Sequence, residues 1–184
     1  MARLVVSEFI TLDGVIQDPM WTFDYFTPDM GEYKFNELFS SDSLLLGRVT
    51  YDGFAAAWPG REDEQGYADR INSMRKYLVS TTRESGDWEN TVVINDNVVD
   101  EVNALKAQEG GDILVFGSGE LVQTLLANDL VDILSLQVYP LIIGNGQRLF
   151  TSELAAKFEL VSVQQIASGV LIMHYAPKRV EAAE

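Results

Sequence analysis

The sequence predicts an α/β domain built on a mixed, mostly parallel sheet. Three observations carry that expectation. Short apolar runs alternate with segments of helical period along most of the chain, as parallel strands joined by crossover helices require. The last two apolar runs, 158–166 and 169–175, are separated only by Ala167-Ser168-Gly169, so they must form an antiparallel hairpin. The 184 residues suffice for one good core and are short for two, and no linker, repeat or low-complexity stretch divides them. One domain is expected over residues 1–184, with its core at about 3–176 and a frayed tail in 177–184, most plainly from Val180 to Glu184.

Taken in order, Arg3 to Leu12 reads as a first, central strand, ended by Asp13-Gly14. Val15 to Asp29 has no clear period, and Pro19 and Pro28 interrupt it. Its Met20, Trp21, Phe23, Tyr25 and Phe26 argue against disorder. The segment is either a flap that covers core or the wall of an apolar pocket. A helix follows over 33–39, then a short buried strand at Leu44 to Gly47 and a helix over 50–58. A polar loop (59–65) and a helix (67–74) precede strands at 76–81 and 91–94. Asn97 to Gln108 is helical, stopped by Glu109-Gly110-Gly111. A strand over 112–116, a helix over 120–128, a long strand over 131–141 and a loop over 142–148 lead to the hairpin.

Composition narrows the function. No apolar run approaches the ~20 residues of a membrane span. The apolar part of the N-terminus is too short for a signal peptide. There is no cysteine, so disulfides and thiolate chemistry are excluded, and a cytoplasmic protein is expected. A formal charge of −15 repels phosphate backbones, so nucleic acid is not an expected partner. The single histidine, His174, lies in a strand and reads as structural, which leaves little for a hydrolase triad or a zinc site. An acidic chain that binds a small anion must hold it with a few well-placed bases.

Three strand ends offer such places. Leu44-Leu45-Leu46 runs out onto Gly47-Arg48-Val49-Thr50. The 76–81 strand ends in Ser80-Thr81, followed by Thr82-Arg83. The 112–116 strand ends in Gly117-Ser118-Gly119. Ligands of open α/β sheets sit beyond the carboxyl ends of strands. Glycines let a backbone approach closely, a following helix presents free N–H groups, and Arg48 offers a permanently charged planar fork.

At these residues the chain resembles the dihydrofolate-reductase-like fold. Gly47-Arg48-x-Thr50 looks like its Gly-Arg-x-Thr signature, and Gly117-Ser118-Gly119 lies where that fold has a Gly-Gly pair before a helix. Thr11-Leu12-Asp13-Gly14, Leu130 to Leu134 and Tyr139 to Phe150 resemble the branch related to the RibD C-terminal domain, the reductase part of bacterial riboflavin biosynthesis enzymes. The resemblance spans roughly Arg3 to Tyr175 and implies a three-layer α/β/α domain with an NADPH site. By similarity Gly47, Arg48 and Thr50 would contact the adenosine-side phosphates, and Ser80 and Thr81 would lie near the ribose 2′-phosphate. Gly117, Ser118, Gly119 and the turn to Leu121 would cradle the pyrophosphate. A charge-assisted bond from Arg48 implies a preference for NADPH over NADH of roughly ten- to a hundredfold.

The chain departs from its relatives at the substrate end. Phe116 stands where riboflavin reductases usually have Glu, and Val122 where dihydrofolate enzymes commonly have Tyr. Asp29, Glu32 and Glu37 are all in the region of the helix carboxylate that pairs with a pterin, and no motif chooses among them. The expected activity is hydride transfer from NADPH to a small unsaturated or heteroaromatic substrate, pteridine- or pyrimidine-like. Asp13 is the candidate for proton handling or substrate contact, or else a turn residue. The alternative is a non-catalytic ligand-binding dimer that kept the fold. The resemblance also implies a homodimer, paired through the sheet and the segment near 139–150.

Overall fold

The computed structural model describes residues 1–152 and 154–178. Its eight strands are β1 (Leu4–Thr11), β2 (Ser41–Gly47), β3 (Arg75–Val79), β4 (Thr91–Ile94), β5 (Asp112–Val115), β6 (Ile133–Tyr139), β7 (Phe158–Gln165) and β8 (Leu171–Pro177). They form one sheet in the order β4-β3-β2-β5-β1-β6-β8-β7. Neighbours from β4 to β6 are parallel, whereas β8 runs antiparallel to both β6 and β7. The helices are α1 (Pro28–Phe39), α2 (Arg48–Ala57), α3 (Tyr67–Ser73), α4 (Val98–Lys106) and α5 (Gly119–Ala127). No described helix is long and apolar enough to cross a membrane.

The side-chain alternation of the strands explains the layers. Leu4, Val6 and Ile10 of β1 join Val102 and Leu105 of α4 and Leu121 and Leu125 of α5 in one buried cluster. Leu44 and Leu46 of β2 meet Leu38 of α1, Tyr51 of α2 and Ile71 of α3 in another. The sheet is therefore covered on both faces. That is why Leu44, Leu45 and Leu46 form an unbroken apolar run: all three are fully buried. Each such leucine contributes about 1.5–3 kcal/mol by burial.

The observed boundaries differ from the expected ones where a local signal has two meanings. Pro28 opens α1 and does not interrupt it, because the first helical position has no use for the missing N–H. The segment before it contains a 3-10 helix over Pro19–Tyr25 and a bridge between Val15 and Arg148. Trp21 and Tyr25 pack edge-on to Tyr139, with ring centroids 5.1 and 5.6 Å away, so this part of the segment covers core. β3 stops at Val79, which leaves Ser80 and Thr81 beyond it. Pro177 still pairs with Phe158, and the Lys178 N–H donates to Lys157 O at 2.7 Å, so order extends past the expected boundary at 176. The rest of the expected tail, including Val180 to Glu184, lies outside the described residues.

Candidate functional site

The ends of β2 and β5 touch. The parallel register Leu44↔Leu114, continued three residues, sets Gly47 beside Gly117, and the Gly47 N–H donates to Gly117 O at 3.0 Å. A Cβ at Gly47 would lie 2.3 Å from Ser118 Oγ and 2.8 Å from Ser118 N, so only glycine permits this approach. Gly117 has φ 105°, in the region that favours glycine, and the Gly117–Ser118 peptide is cis. A Cβ there would lie 2.9 Å from Thr50 Oγ1. One at Gly119 would meet Ile16 Cδ1 at 2.6 Å and Gln147 Nε2 at 3.0 Å, so residues from the 15–17 and 145–148 segments close over this end.

Two helices start at that contact. α2 follows Gly47 and α5 follows Ser118, and no side chain caps either first turn. The first backbone bond of α5 runs from the Val122 N–H to Ser118 O at 3.0 Å. The N–H groups of Gly119, Glu120 and Leu121 therefore have no partner within the helix. Two uncapped positive helix ends meeting at one point favour an anion there. The structure thus brings Gly47, Thr50, Gly117, Ser118 and Gly119 together. The Leu121 side chain is buried in the core, so only its backbone faces the turn.

Arg48 is half-exposed at the head of α2, with a guanidinium nitrogen 3.3 Å from Asp52. Asp52 also receives Arg83 at 2.6 Å, and Arg83 reaches Asp87 at 3.1 Å. Two guanidiniums therefore converge on one carboxylate beside the ends of β2 and β3. Exposed pairs of this kind contribute little to stability and exchange readily for another anion. Arg83, which directly follows the hydroxyl run, has no role assigned from the sequence, and the structure sets it beside Arg48. Ser80 stands at the end of β3, where its Oγ accepts the N–H groups of Thr82 at 3.3 Å and Arg83 at 3.2 Å. Its hydroxyl is buried turn chemistry, while Thr81 is exposed.

Asp13 is likewise a turn residue. Its carboxylate accepts the Thr11 hydroxyl at 2.6 Å, the Gly144 N–H at 2.8 Å and the Ile143 N–H at 3.3 Å. Arg148 Nε donates to Asp13 O at 2.9 Å. The Thr11 bond, followed by those backbone bonds, holds the Asp13 carboxyl below its usual range. An acid so bonded stays ionised near neutral pH and is a poor proton donor. These bonds give Asp13 the turn role weighed for it in the sequence: it fastens the 141–148 loop to the end of β1.

The structure adds two groups that no motif marked. Lys34 of α1 is buried, ion-paired with Glu37 and bonded to Ser7 Oγ at 3.1 Å. Its ammonium lies 4.3 Å from the ring centroid of Phe116 and 5.0 Å from that of Phe9. Glu37 accepts the Tyr33 hydroxyl at 3.0 Å, and that hydroxyl lies 2.8 Å from Ser135 Oγ and 3.1 Å from His174 Nε2. His174 Nδ1 lies 3.1 Å from Ser162 Oγ, so a hydrogen-bonded chain runs from the surface to Lys34. Burial lowers the pKa of His174, against the opposing pull of Glu37. Among the three acids weighed on or near α1, Glu37 belongs to this chain and Glu32 is exposed. Asp29 accepts the N–H groups of Met30 and Ala167. The second added group is Glu8 of β1: it is buried, and its Oε1 has no hydrogen-bond partner.

Residues 2–172 match the model of the RibD C-terminal domain. The chain belongs to that family. It is 32% identical over 179 residues to YyaP of Bacillus subtilis (strain 168), an uncharacterized protein, and the match covers 94% of each chain. Among solved structures it resembles a protein from Shewanella sp. PV-4 named for riboflavin biosynthesis, with a TM-score of 0.76 and 24% identity over 97% of this chain and all of that one. It also resembles dihydrofolate reductase from Enterococcus faecalis in complex with NADP(H), with a TM-score of 0.63 and 15% identity over 96% and 97% of the two chains. This RibD C-terminal domain protein has the dihydrofolate-reductase-like fold, with the touching glycine turns described above at the carboxyl ends of its central strands.

Proposed function

We propose that the protein is an NADPH-dependent reductase acting on a small unsaturated or heteroaromatic, pteridine- or pyrimidine-like compound. The observation that carries this reading is the meeting of two uncapped helix N-termini on glycine turns too close for any Cβ. Such a cradle suits a pyrophosphate. The N–H groups from Gly119 to Leu121, with the hydroxyls of Thr50 and Ser118, would hold it. Arg48 and Arg83, which now share Asp52, would receive the ribose 2′-phosphate. A dihydrofolate reductase of this fold was solved with NADP(H), which supports the same class of cofactor here. When bound, that cofactor supplies the hydride chemistry. On the α1 side of the sheet, Phe9 and Phe116 flank the Lys34 ammonium. Flat walls around one buried cation suit a planar ligand with an acceptor atom. Two copies are proposed to pair as a homodimer.

The test is quenching of Trp21, Trp58 and Trp88 on titration with NADPH and NADH. NADPH is expected to bind at least tenfold tighter, and Arg48→Ala is expected to remove most of that preference. Oxidation of bound NADPH is then followed with dihydrofolate and with aminopyrimidine ribitol precursors. Binding of neither nucleotide defeats the reading. Tight binding with no oxidation by any substrate favours a ligand-binding protein that kept the fold.

A further inference from the structure

We propose that Glu8 is a binding residue of the cofactor cleft: its neutral carboxyl donates a hydrogen bond to an oxygen of the bound dinucleotide beside the Gly117 turn, so that binding is gated by pH. The inference rests on the cofactor reading above and names a residue that this reading does not use.

Glu8 lies near the middle of β1, on the same side as Leu4, Val6 and Ile10, and is 8% exposed. Continuing the register Val6↔Val115 by two residues sets Glu8 level with Gly117. Its Oε1 lies 3.3 Å from the point a Cβ on Gly117 would occupy, and Thr50 Oγ1 lies 2.9 Å from the same point. The carboxyl therefore stands at the glycine turn where α5 begins. β5, β6 and α5 contribute Val115, Leu136, Leu121 and Val122 to the apolar cluster on this face, and α2 brings Thr50 to the turn. Lys34 of α1 is the charged group that acts on the carboxyl, but its bonds go to Glu37 and Ser7.

An apolar side chain would fill this position at no polar cost, whereas a buried carboxyl oxygen without a partner is destabilising. Burial, partly offset by Lys34, pushes the Glu8 carboxyl up to about 8, so at neutral pH it carries a proton. A neutral acid needs an acceptor, and a polyanionic dinucleotide brings several. Once ionised, the same group would repel that ligand.

The experiment is NADPH titration of the wild type and of Glu8→Gln between pH 6.5 and 9.5. The wild-type Kd is expected to be flat below about 8 and to weaken by up to about tenfold per pH unit above it. The phosphates of the ligand titrate near or below ~6 and leave this window clear. Glu8→Gln is expected to bind with no such rise. Calorimetry on the wild type at pH 8, in buffers of different ionisation heat, is expected to register uptake of about half a proton per NADPH. This second readout needs no variant. Repeating the titration with 2′-phosphoadenosine diphosphate ribose assigns the oxygen: a retained pH rise points to a phosphate, a lost one to the carboxamide. Equal pH dependence in both proteins, or no proton uptake, overturns the role of Glu8 while leaving the cofactor reading intact. Absence of NADPH binding at every pH overturns both.

Discussion

A methyl group at Gly47 tests the site at the scale of one residue. It would sit 2.3 Å from Ser118 Oγ and 2.8 Å from Ser118 N, and the backbone nitrogen cannot rotate away. Gly47→Ala is expected to weaken NADPH binding at least tenfold, read by tryptophan quenching. Gly53 in α2 is the control, since a Cβ there meets nothing within 4 Å. Gly53→Ala should leave binding unchanged and raise stability by about 0.5–1 kcal/mol. Asp13→Asn separates the two roles weighed for that residue. With its bonds to Gly144 and Ile143 weakened, the variant should melt at a lower temperature yet oxidise NADPH at an unchanged rate, whereas a lost rate would mark Asp13 as the proton-handling residue. Glu8 makes a prediction about the apoprotein as well. Its folded pKa is raised, so its contribution to stability is complete below the ordinary carboxylate range and is lost as pH rises through about 8. In thermal melts, Glu8→Gln should gain several degrees on the wild type between pH 5 and pH 9.

At the scale of elements, the site depends on how helices and loops are fastened. α2 and α5 start at touching turns because β2 and β5 are neighbours in the sheet, although Gly47 and Gly117 stand 70 positions apart in the sequence. The 15–17 segment is strapped to the 145–148 segment, with the Ile16 N–H on Gln147 O and the Gln147 N–H on Gln17 Oε1, both at 2.9 Å. On the other face, α1 is held to β6 and β8 by the chain through Tyr33. Tyr33→Phe removes the hydroxyl that serves Glu37, Ser135 and His174 and should cost about 1–3 kcal/mol in urea unfolding. Glu37→Gln should cost more, about 3–5 kcal/mol, because it leaves the Lys34 ammonium buried without its counter-charge.

At the scale of the whole molecule, the prediction concerns self-association. β7 closes one end of the sheet, and its outer edge pairs with no described strand. Leu160, Val161 and Val163 on it are all about half-exposed. An exposed apolar edge is a template for pairing with another chain. Sedimentation velocity is expected to show a homodimer, and Val161→Lys with Val163→Lys is expected to shift it toward monomer. The charge of −15 per chain opposes association, so moderate salt should tighten the dimer. A monomer at micromolar concentration in salt would count against the homodimer.

Periodicity and turn chemistry were sufficient for the α/β class with its mixed sheet, the central first strand and the antiparallel hairpin, while the three layers followed from the family resemblance. Those features follow from which residues avoid water along a local stretch of backbone. The glycines at 47, 117 and 119 were legible for the same reason, since each marks a place where the chain itself must turn or approach another backbone. The partners of the charged groups were not legible. Asp13 and Gly144 are 131 positions apart, and only folding decides that they bond. Glu8 reads locally as one polar residue in an alternating strand, and Lys34 as one cation on a helix. Sheet order sets Glu8 beside Gly117, and the seating of α1 on β1 sets Lys34 between two aromatic rings. Local sequence reports how each residue meets solvent and its chain neighbours; tertiary structure decides which distant groups face each other, and charge interactions depend on that distance.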